Sequence, residues 1–187
     1  MVAAILTAEA AFWALLVAGL LARYAARRPA LSTWLLRGVP AVDVLLVALV
    51  VLDLAAGAEP TRAHALAAVY LGCTVAFGRA TIAWADVRFR RHFRGVPAPA
   101  PPAPGSRAAV RALWLEWLRV VLAGAIAAPL LLALIAIDGF AVPATAEEVA
   151  QHPCWSTLAL LGIVIAVWFL AGPAFAGTGR SERETAR

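Results

Sequence analysis

The amino-acid sequence predicts an all-α protein, a polytopic membrane bundle of about five transmembrane helices. Apolar residues make up 63% of the 187-residue chain and charged residues 14%, whereas soluble domains are typically about half apolar and about a quarter charged. Apolar runs of bilayer-crossing length recur along the chain, and arginines gather in alternate connections between them. The net charge of +5 is therefore interpreted as a topology signal at a membrane surface.

Five segments are long and apolar enough to cross a bilayer at a rise of about 1.5 Å per residue. The first carries Glu9 and is interpreted as a retained span, because it lacks the basic n-region of a signal peptide. The second contains Asp43 and Asp53, and the third begins at His64. The predicted spans cover residues 3–22, 38–57, 63–83, 112–136 and 155–177.

The fourth span is unusual because it holds charged residues in its first turns. Glu116 and Arg119 lie three residues apart on one helical face. We expect them either to satisfy each other or to join other charges at the same depth.

The arginines predict the orientation of the chain. The connections after the first and third spans and the C-terminal tail hold most of them, whereas the other side holds Arg62 alone. This pattern requires an odd number of spans, which agrees with five. It predicts a multi-pass protein of the bacterial inner (plasma) membrane, with the N-terminus outside and the C-terminus cytoplasmic.

The longest connection is predicted to start as a continuation of the third helix. Its sequence, WADVRFRRHFR, alternates arginines with aromatic residues, which favours contact with anionic headgroups of the lipid bilayer. A docking site for a membrane or cytoplasmic protein partner is the alternative, and no RNA-binding pattern appears, so no nucleic acid is predicted. The candidate headgroup contacts are Trp84, Asp86, Arg88, Arg90 and Arg91.

A proline-rich stretch divides the chain. Residues 96–106 are predicted to form an extended cytoplasmic linker, because five prolines in eight residues are incompatible with a helix. The linker separates a three-helix unit with intramembrane polar residues, 1–95, from the last two spans and a short basic tail, 107–187.

Charges inside the first three spans fall into two layers. Glu9, Asp53 and His64 are predicted to lie near the outer surface, and Asp43 and Arg79 in the inner half. A charge at mid-bilayer costs about 2.5–3.5 kcal/mol, so such residues normally face the bundle interior and pair. Both layers can be interpreted as interhelical charge pairs that only determine which helices lie next to each other.

The outer layer is also open to a chemical interpretation. Two carboxylates around a histidine form an acid–base cluster that relays protons, binds a cation or ligates a metal. His152 and the adjacent Cys154 approach from an outer loop in the metal alternative, but the sequence has no recognisable metal-ligand spacing. We therefore assign no metal, no cofactor and no catalytic residue.

Small residues repeat every fourth position beside these charges, a spacing that lets helices approach closely. In the third span they follow from His64, and in the first they lie next to Glu9. We expect both rows to be packing faces. They comprise Ala68, Gly72, Ala76 and Ala80, and Ala10, Ala14, Ala18 and Ala22.

Residues from roughly 5 to 95 resemble the YmcC-type family of small bacterial integral membrane proteins. In that pattern an apolar helix ends in Arg-Tyr, a second carries spaced aspartates, and a third runs from a histidine to Trp-Ala-Asp-x-Arg-Phe. The resemblance implies membrane residence and carries no activity, cofactor or substrate. The matching residues are Arg23, Tyr24, Asp43, Asp53, His64, Tyr70, Gly72, Phe77, Gly78, Trp84, Asp86, Arg88 and Phe89.

Three functions fit these observations. The first is a small accessory or transport-type protein that handles a proton or small cation at the outer layer, with Asp43 and Arg79 as a lock or gate. The second is a structural subunit of a larger membrane complex. The third is a membrane-embedded lipid-modifying enzyme that uses Asp86 and its neighbouring arginines. No Walker loop, dinucleotide glycine pattern or serine nucleophile elbow is present, which disfavours the enzymes of soluble domains.

Overall fold

A computed structural model describes residues 2–59, 61–97 and 99–175, and within these ranges the chain is helical with no strand. The all-α prediction is confirmed. The helices are α1 (Val2–Tyr24), α2 (Pro29–Ala55), α3 (Arg62–Arg94), α4 (Arg107–Ile137), α5 (Ala146–Gln151) and α6 (Pro153–Ala171), followed by a 3₁₀ turn at Pro173–Phe175.

Four of the described helices contain stretches long and apolar enough to cross a membrane, which confirms a polytopic membrane protein. In α1 the apolar stretch among the described residues, Ala10–Tyr24, is shorter. The whole of α1 has 23 residues, or about 35 Å at the usual helical rise. The four stretches are Pro29–Asp53, Arg62–Arg94, Arg107–Ile137 and Pro153–Phe175.

The second helix starts nine residues before the apolar span predicted from about residue 38. The helix begins at Pro29 and continues through Pro40. Proline suits the first turn of a helix, where its missing N–H would be unpaired in any case. An internal proline is tolerated in membrane helices because neighbouring groups satisfy the freed carbonyl.

The third helix runs on past the predicted span, to Arg94, as the sequence indicated. Gly95 ends it in the left-handed conformation, with φ of 64°, and its N–H donates to the carbonyl of Arg91. After the proline-rich linker, Ser106 caps α4, since its hydroxyl accepts from the N–H of Ala109 at 3.1 Å. Helix α3 and helix α4 are therefore joined by a connection with a defined helix end on each side.

The short helix α5 was not predicted, although its start carries a recognisable signal. Thr145 and Glu148 have the spacing of a capping box. The Thr145 hydroxyl accepts from the N–H of Glu148, and the Glu148 carboxylate accepts from the N–H of Ala144.

Helix α3 is the shared element of the bundle, since it contacts α1, α2, α4 and α6. One hydrophobic cluster fills the space between α2, α3, α4 and the start of α6, with Leu46, Leu131 and Cys154 fully buried. A second cluster joins α1 to the C-terminal half of α3 through Leu16, Leu20 and Ala85. Helix α6 is additionally held by Trp117, whose indole N–H donates to the Ile165 carbonyl at 3.1 Å.

The small-residue row of α3 is a packing face, as predicted, and the helix that it packs against at Gly72 is α4. Ala68, Gly72 and Ala76 are buried. A Cβ atom added to Gly72 would overlap the carbonyl oxygen of Ala123 and touch the Ala127 side chain. The backbones of α3 and α4 therefore approach each other closely at a position that only glycine fits.

The predicted alanine row of α1 was wrong as a packing face, because Ala10, Ala14 and Ala18 are exposed. The buried face of α1 instead carries Leu16, Gly19 and Leu20, together with Ala22. Leucine buries more apolar area than alanine. Gly19 gives the Leu36 side chain of α2 room to approach the α1 backbone.

Candidate polar sites at the two ends of the bundle

Polar side chains collect at the two opposite ends of α3. We call them the Asp–His end, defined by Asp53, His64, Asp138 and His152, and the arginine end, defined by Arg23, Tyr24, Asp86, Arg90 and Arg94.

At the Asp–His end, His64 connects the last turn of α2 to the first turn of α3. Its Nδ1 atom lies 3.0 Å from the backbone nitrogen of Thr61, the residue that precedes α3. A backbone N–H can only donate, so Nδ1 accepts and the ring proton resides on Nε2. Nε2 then donates to Oδ2 of Asp53 at 2.9 Å. His64 thus occupies the position that Glu or Gln takes in a capping box.

The surroundings of the two partners differ. His64 is 2% exposed, whereas 45% of the Asp53 side chain is exposed. Asp53, Thr61 and His64 border an open cavity of about 720 Å³ that also contacts Glu59 and Arg62. The Thr61 hydroxyl lies 3.0 Å from Nδ1 of His64 as well. The site therefore places a buried imidazole between a backbone donor and an accessible carboxylate.

The structure brings together only part of the two predicted layers. The side chains of Glu9 and Asp43 lie outside the described residues. Arg79 is exposed and makes no ion pair with a described side chain.

Glu116 and Arg119 do not satisfy each other. Both are exposed, and the ion pairs found among the described side chains do not include one between them. An exposed pair three residues apart stabilises a helix by only about 0.2–0.5 kcal/mol, so little favours one fixed geometry.

A second Asp–His pair, absent from the sequence prediction, also joins the end of one helix to the start of the next through a histidine that accepts from backbone N–H groups. Asp138 ends α4 and His152 precedes α6. Nδ1 of His152 accepts from the N–H groups of Cys154 and Trp155, and Nε2 lies 3.4 Å from Oδ2 of Asp138. The signal was the shared order of an aspartate closing one apolar run and a histidine opening the next.

The two pairs flank the same hydrophobic cluster but do not form a metal site. Val50, Ala65, Ile135 and Cys154, which belong to that cluster, lie within three residues of the paired side chains. Across the described part of the chain, no group of three or more His, Cys, Asp or Glu side chains is arranged to hold a metal ion. His152 is paired with Asp138 rather than directed at Asp53 and His64.

At the arginine end, Asp86 of α3 is the centre of a compact network with α1. The Tyr24 hydroxyl donates to Oδ1 at 2.5 Å, and Nη1 of Arg23 lies 3.7 Å from the same oxygen. Nε of Arg90 lies 3.2 Å from Oδ2, and the Arg94 guanidinium lies 5.0 Å from the centre of the Tyr24 ring. Only 20% of the Asp86 side chain is exposed.

This network divides the five predicted headgroup contacts. Asp86 and Arg90 face α1 and each other, which the sequence did not indicate because Tyr24 and Asp86 are 62 residues apart. The other three border an open cavity of about 870 Å³ beside the linker, and the Arg88 guanidinium lies 4.7 Å from the centre of the Trp84 ring. These three are Trp84, Arg88 and Arg91.

Comparison with known proteins adds one finding. No family model matches the chain, and no solved structure matches it. The chain is 43% identical over 82 residues to an uncharacterized membrane protein, YmcC, of Bacillus subtilis (strain 168). The match spans 44% of this chain and 44% of that relative. The resemblance predicted from the sequence is thus confirmed over 82 residues, and the protein is an integral membrane protein similar in that part to YmcC.

Proposed function

We propose that this protein is a small accessory or transport-type membrane protein that handles a proton or small cation at its Asp–His end. The observation that carries the proposal is the hydrogen bond between His64 and Asp53, which joins a buried imidazole to a carboxylate at the mouth of an open cavity. We also propose the orientation that the arginines predict, with this end outside the bacterial inner membrane and the arginine end cytoplasmic.

The arrangement of donors and acceptors supports proton exchange. The carboxylate of Asp53 is accessible from the cavity and accepts the Nε2 proton of His64. Because Nδ1 of His64 accepts from Thr61 and Nε2 already carries a proton, the Asp53 carboxylate is the group that takes up a proton from water, and the His64 ring holds that carboxylate in place.

A purely structural role for His64 is separable from proton handling by the choice of substitution. His64→Gln keeps an acceptor for the Thr61 N–H, because glutamine is a normal partner in a capping box, but it removes the ionisable ring. His64→Ala removes both. Asp53→Asn keeps the shape of the carboxylate and removes its charge.

The full-length protein, reconstituted in liposomes with a trapped pH dye, is expected to speed internal acidification after an external pH step. His64→Gln and Asp53→Asn should slow it at least tenfold, towards the rate of empty liposomes, because the first removes the ring N–H that positions the carboxylate and the second removes the carboxylate that takes up the proton. Glu59→Gln is the matched control, since Glu59 borders the same cavity but is not bonded to His64. The same vesicles, prepared with a sodium or potassium gradient across the membrane, test whether the protein moves these cations.

Wild-type rates in His64→Gln and Asp53→Asn would contradict the proposal. If His64→Ala is then less stable by about 1 kcal/mol while His64→Gln is not, the histidine serves as a helix cap. An equal loss in Glu59→Gln would also contradict it, because the effect would then be one of general surface charge.

A second candidate, a subunit of a larger membrane complex, is favoured by charges on the outside of the bundle. Arg79 lies seven residues after Gly72, and Glu116 lies seven residues before Ala123, which Gly72 approaches. In antiparallel helices these positions are level, about 10 Å from the crossing. Both side chains are exposed within predicted spans, where charged groups normally pair. A neighbouring helix with complementary charges would satisfy them.

Extraction of the chain from its native membrane in mild detergent tests this second candidate. We expect a particle larger than the monomer that dissociates in Glu116→Gln and Arg79→Gln but not in Glu59→Gln. A wild-type protein that runs as a lone monomer would argue against a subunit.

The third candidate, a lipid-modifying enzyme built on Asp86, is not favoured by the geometry. Both carboxylate oxygens already contact a neighbouring group, from Tyr24, Arg23 or Arg90. A carboxylate engaged in this way holds helices together and is poorly placed to act on a lipid.

A further inference from the structure

We propose that the arginine end carries a binding site for the phosphate group of an anionic phospholipid, formed by Trp84, Arg88 and Arg91 of α3. The site is independent of the proposed proton handling, because it lies at the opposite end of the same helix.

Helical phase separates these residues from the network around Asp86. At 100° per residue, Arg88 and Arg91 lie within about 40° of Trp84 around the α3 axis, whereas Asp86 and Arg90 lie on the opposite side, roughly 160–120° away. The contacts of the charged side chains and of Trp84 agree with this division. Asp86 and Arg90 form an ion pair beside α1, and Trp84, Arg88 and Arg91 border the 870 Å³ cavity.

The division leaves positive charge uncompensated on the cavity side. The one carboxylate in this part of α3, Asp86, is held by Tyr24, Arg23 and Arg90. Arg88 and Arg91 form no ion pair with a described carboxylate. Two guanidinium groups one turn apart, facing the same space, match an anion with several oxygens, because each presents N–H donors in a planar fork.

The apolar lining indicates that the anion is attached to a lipid. The Arg88 guanidinium lies over the Trp84 ring, 4.7 Å from its centre, in cation–π contact. Phe89 and Phe93, which lie on the Asp86 side of α3, stack with ring centres 5.8 Å apart and also border this cavity. Aromatic rings beside arginines are typical of the headgroup layer, where one part of a ligand is apolar and the next is charged.

Native mass spectrometry of the full-length protein in detergent tests this site. The probes are phosphatidylglycerol, phosphatidylcholine and inorganic phosphate, added separately. We expect wild-type protein to retain phosphatidylglycerol at least fivefold more than phosphatidylcholine, and Arg88→Gln/Arg91→Gln to lose that preference. Arg107→Gln/Arg111→Gln is the matched control, because it removes two charges from the start of α4 without altering the cavity lining.

Each outcome decides the proposal. Lost preference in the first double variant, with the control unchanged, supports the site. Equal retention by wild type and the first double variant overturns it, as does an equal loss in the control. Displacement of phosphatidylglycerol by millimolar inorganic phosphate would overturn the lipid assignment, because the ligand would then be free phosphate. A parallel fluorescence melting curve shows that the double variant is folded.

Discussion

Gly72→Ala is expected to cause the largest loss of stability among glycine-to-alanine changes in the described part of the chain. The new Cβ atom would overlap the backbone carbonyl oxygen of Ala123, which cannot rotate away as a side chain can. Helices α3 and α4 must then separate along an interface that also contains Ala68 and Ala76. Overpacking of this kind costs about 1–3 kcal/mol, after any gain in helix propensity from alanine.

Reversible unfolding in mixed detergent micelles measures this effect as a change in the free energy of unfolding. Gly162→Ala is the matched control, since a Cβ atom there meets nothing within 4 Å. That variant should be unchanged or more stable, because alanine favours a helix over glycine by about 1 kcal/mol. Equal behaviour of the two variants would show that α3 and α4 do not approach each other at Gly72.

Asp86→Ala is expected to destabilise the contact between α1 and α3 by about 2–3 kcal/mol. The substitution removes the acceptor for the Tyr24 hydroxyl and leaves Arg23 and Arg90 without their counter-charge. Removing one member of a fully buried charge network costs about 3–5 kcal/mol, and the partial exposure of Asp86 lowers that figure. Tyr24→Phe should cost about 1 kcal/mol, because it removes one hydrogen bond.

A double-mutant cycle separates these contributions. Asp86→Ala and Tyr24→Phe together should cost less than the sum of the single changes, because they share one hydrogen bond. Glu59→Ala serves as a control for the loss of an exposed carboxylate. Additive costs would mean that Tyr24 and Asp86 do not interact in the folded protein.

The recurrence of apolar runs long enough to cross a bilayer accounts for most of the fold that the sequence could predict. An apolar run of bilayer length satisfies its backbone hydrogen bonds in lipid by forming a helix, so the spans followed from composition. The alternation of arginines with aromatic residues indicated the extension of α3 to Arg94. The packing face of α1 did not follow, because an alanine row and a leucine face lie on the same helix and only the shape of the partner decides between them. Here the partner is α2, whose Leu36 fills the space beside Gly19.

Placing polar residues at equal depths in the membrane indicated the contact between Asp53 and His64, which follow each other in one helical hairpin. It did not indicate the contact between Tyr24 and Asp86, which lie on helices far apart in the chain. Asp53 and His64 are eleven residues apart, so the turn that joins α2 to α3 already holds them at one height. Tyr24 and Asp86 are brought together only by the way α1 lies across α3, which no local pattern specifies. Asp138 and His152 were within reach of the same reasoning, since their order repeats that of the first hairpin.

Helix α3 extends much further from its contact with α4 on the side that leads to the linker than on the other side. From Gly72 to Arg94 its axis extends about 33 Å, but from Gly72 back to Arg62 only about 15 Å. Half the hydrocarbon thickness is about 15 Å. The arm of α3 beyond Gly72 is therefore about twice that length, so the arginine end and the start of the proline-rich linker lie on the longer side of the α3–α4 crossing.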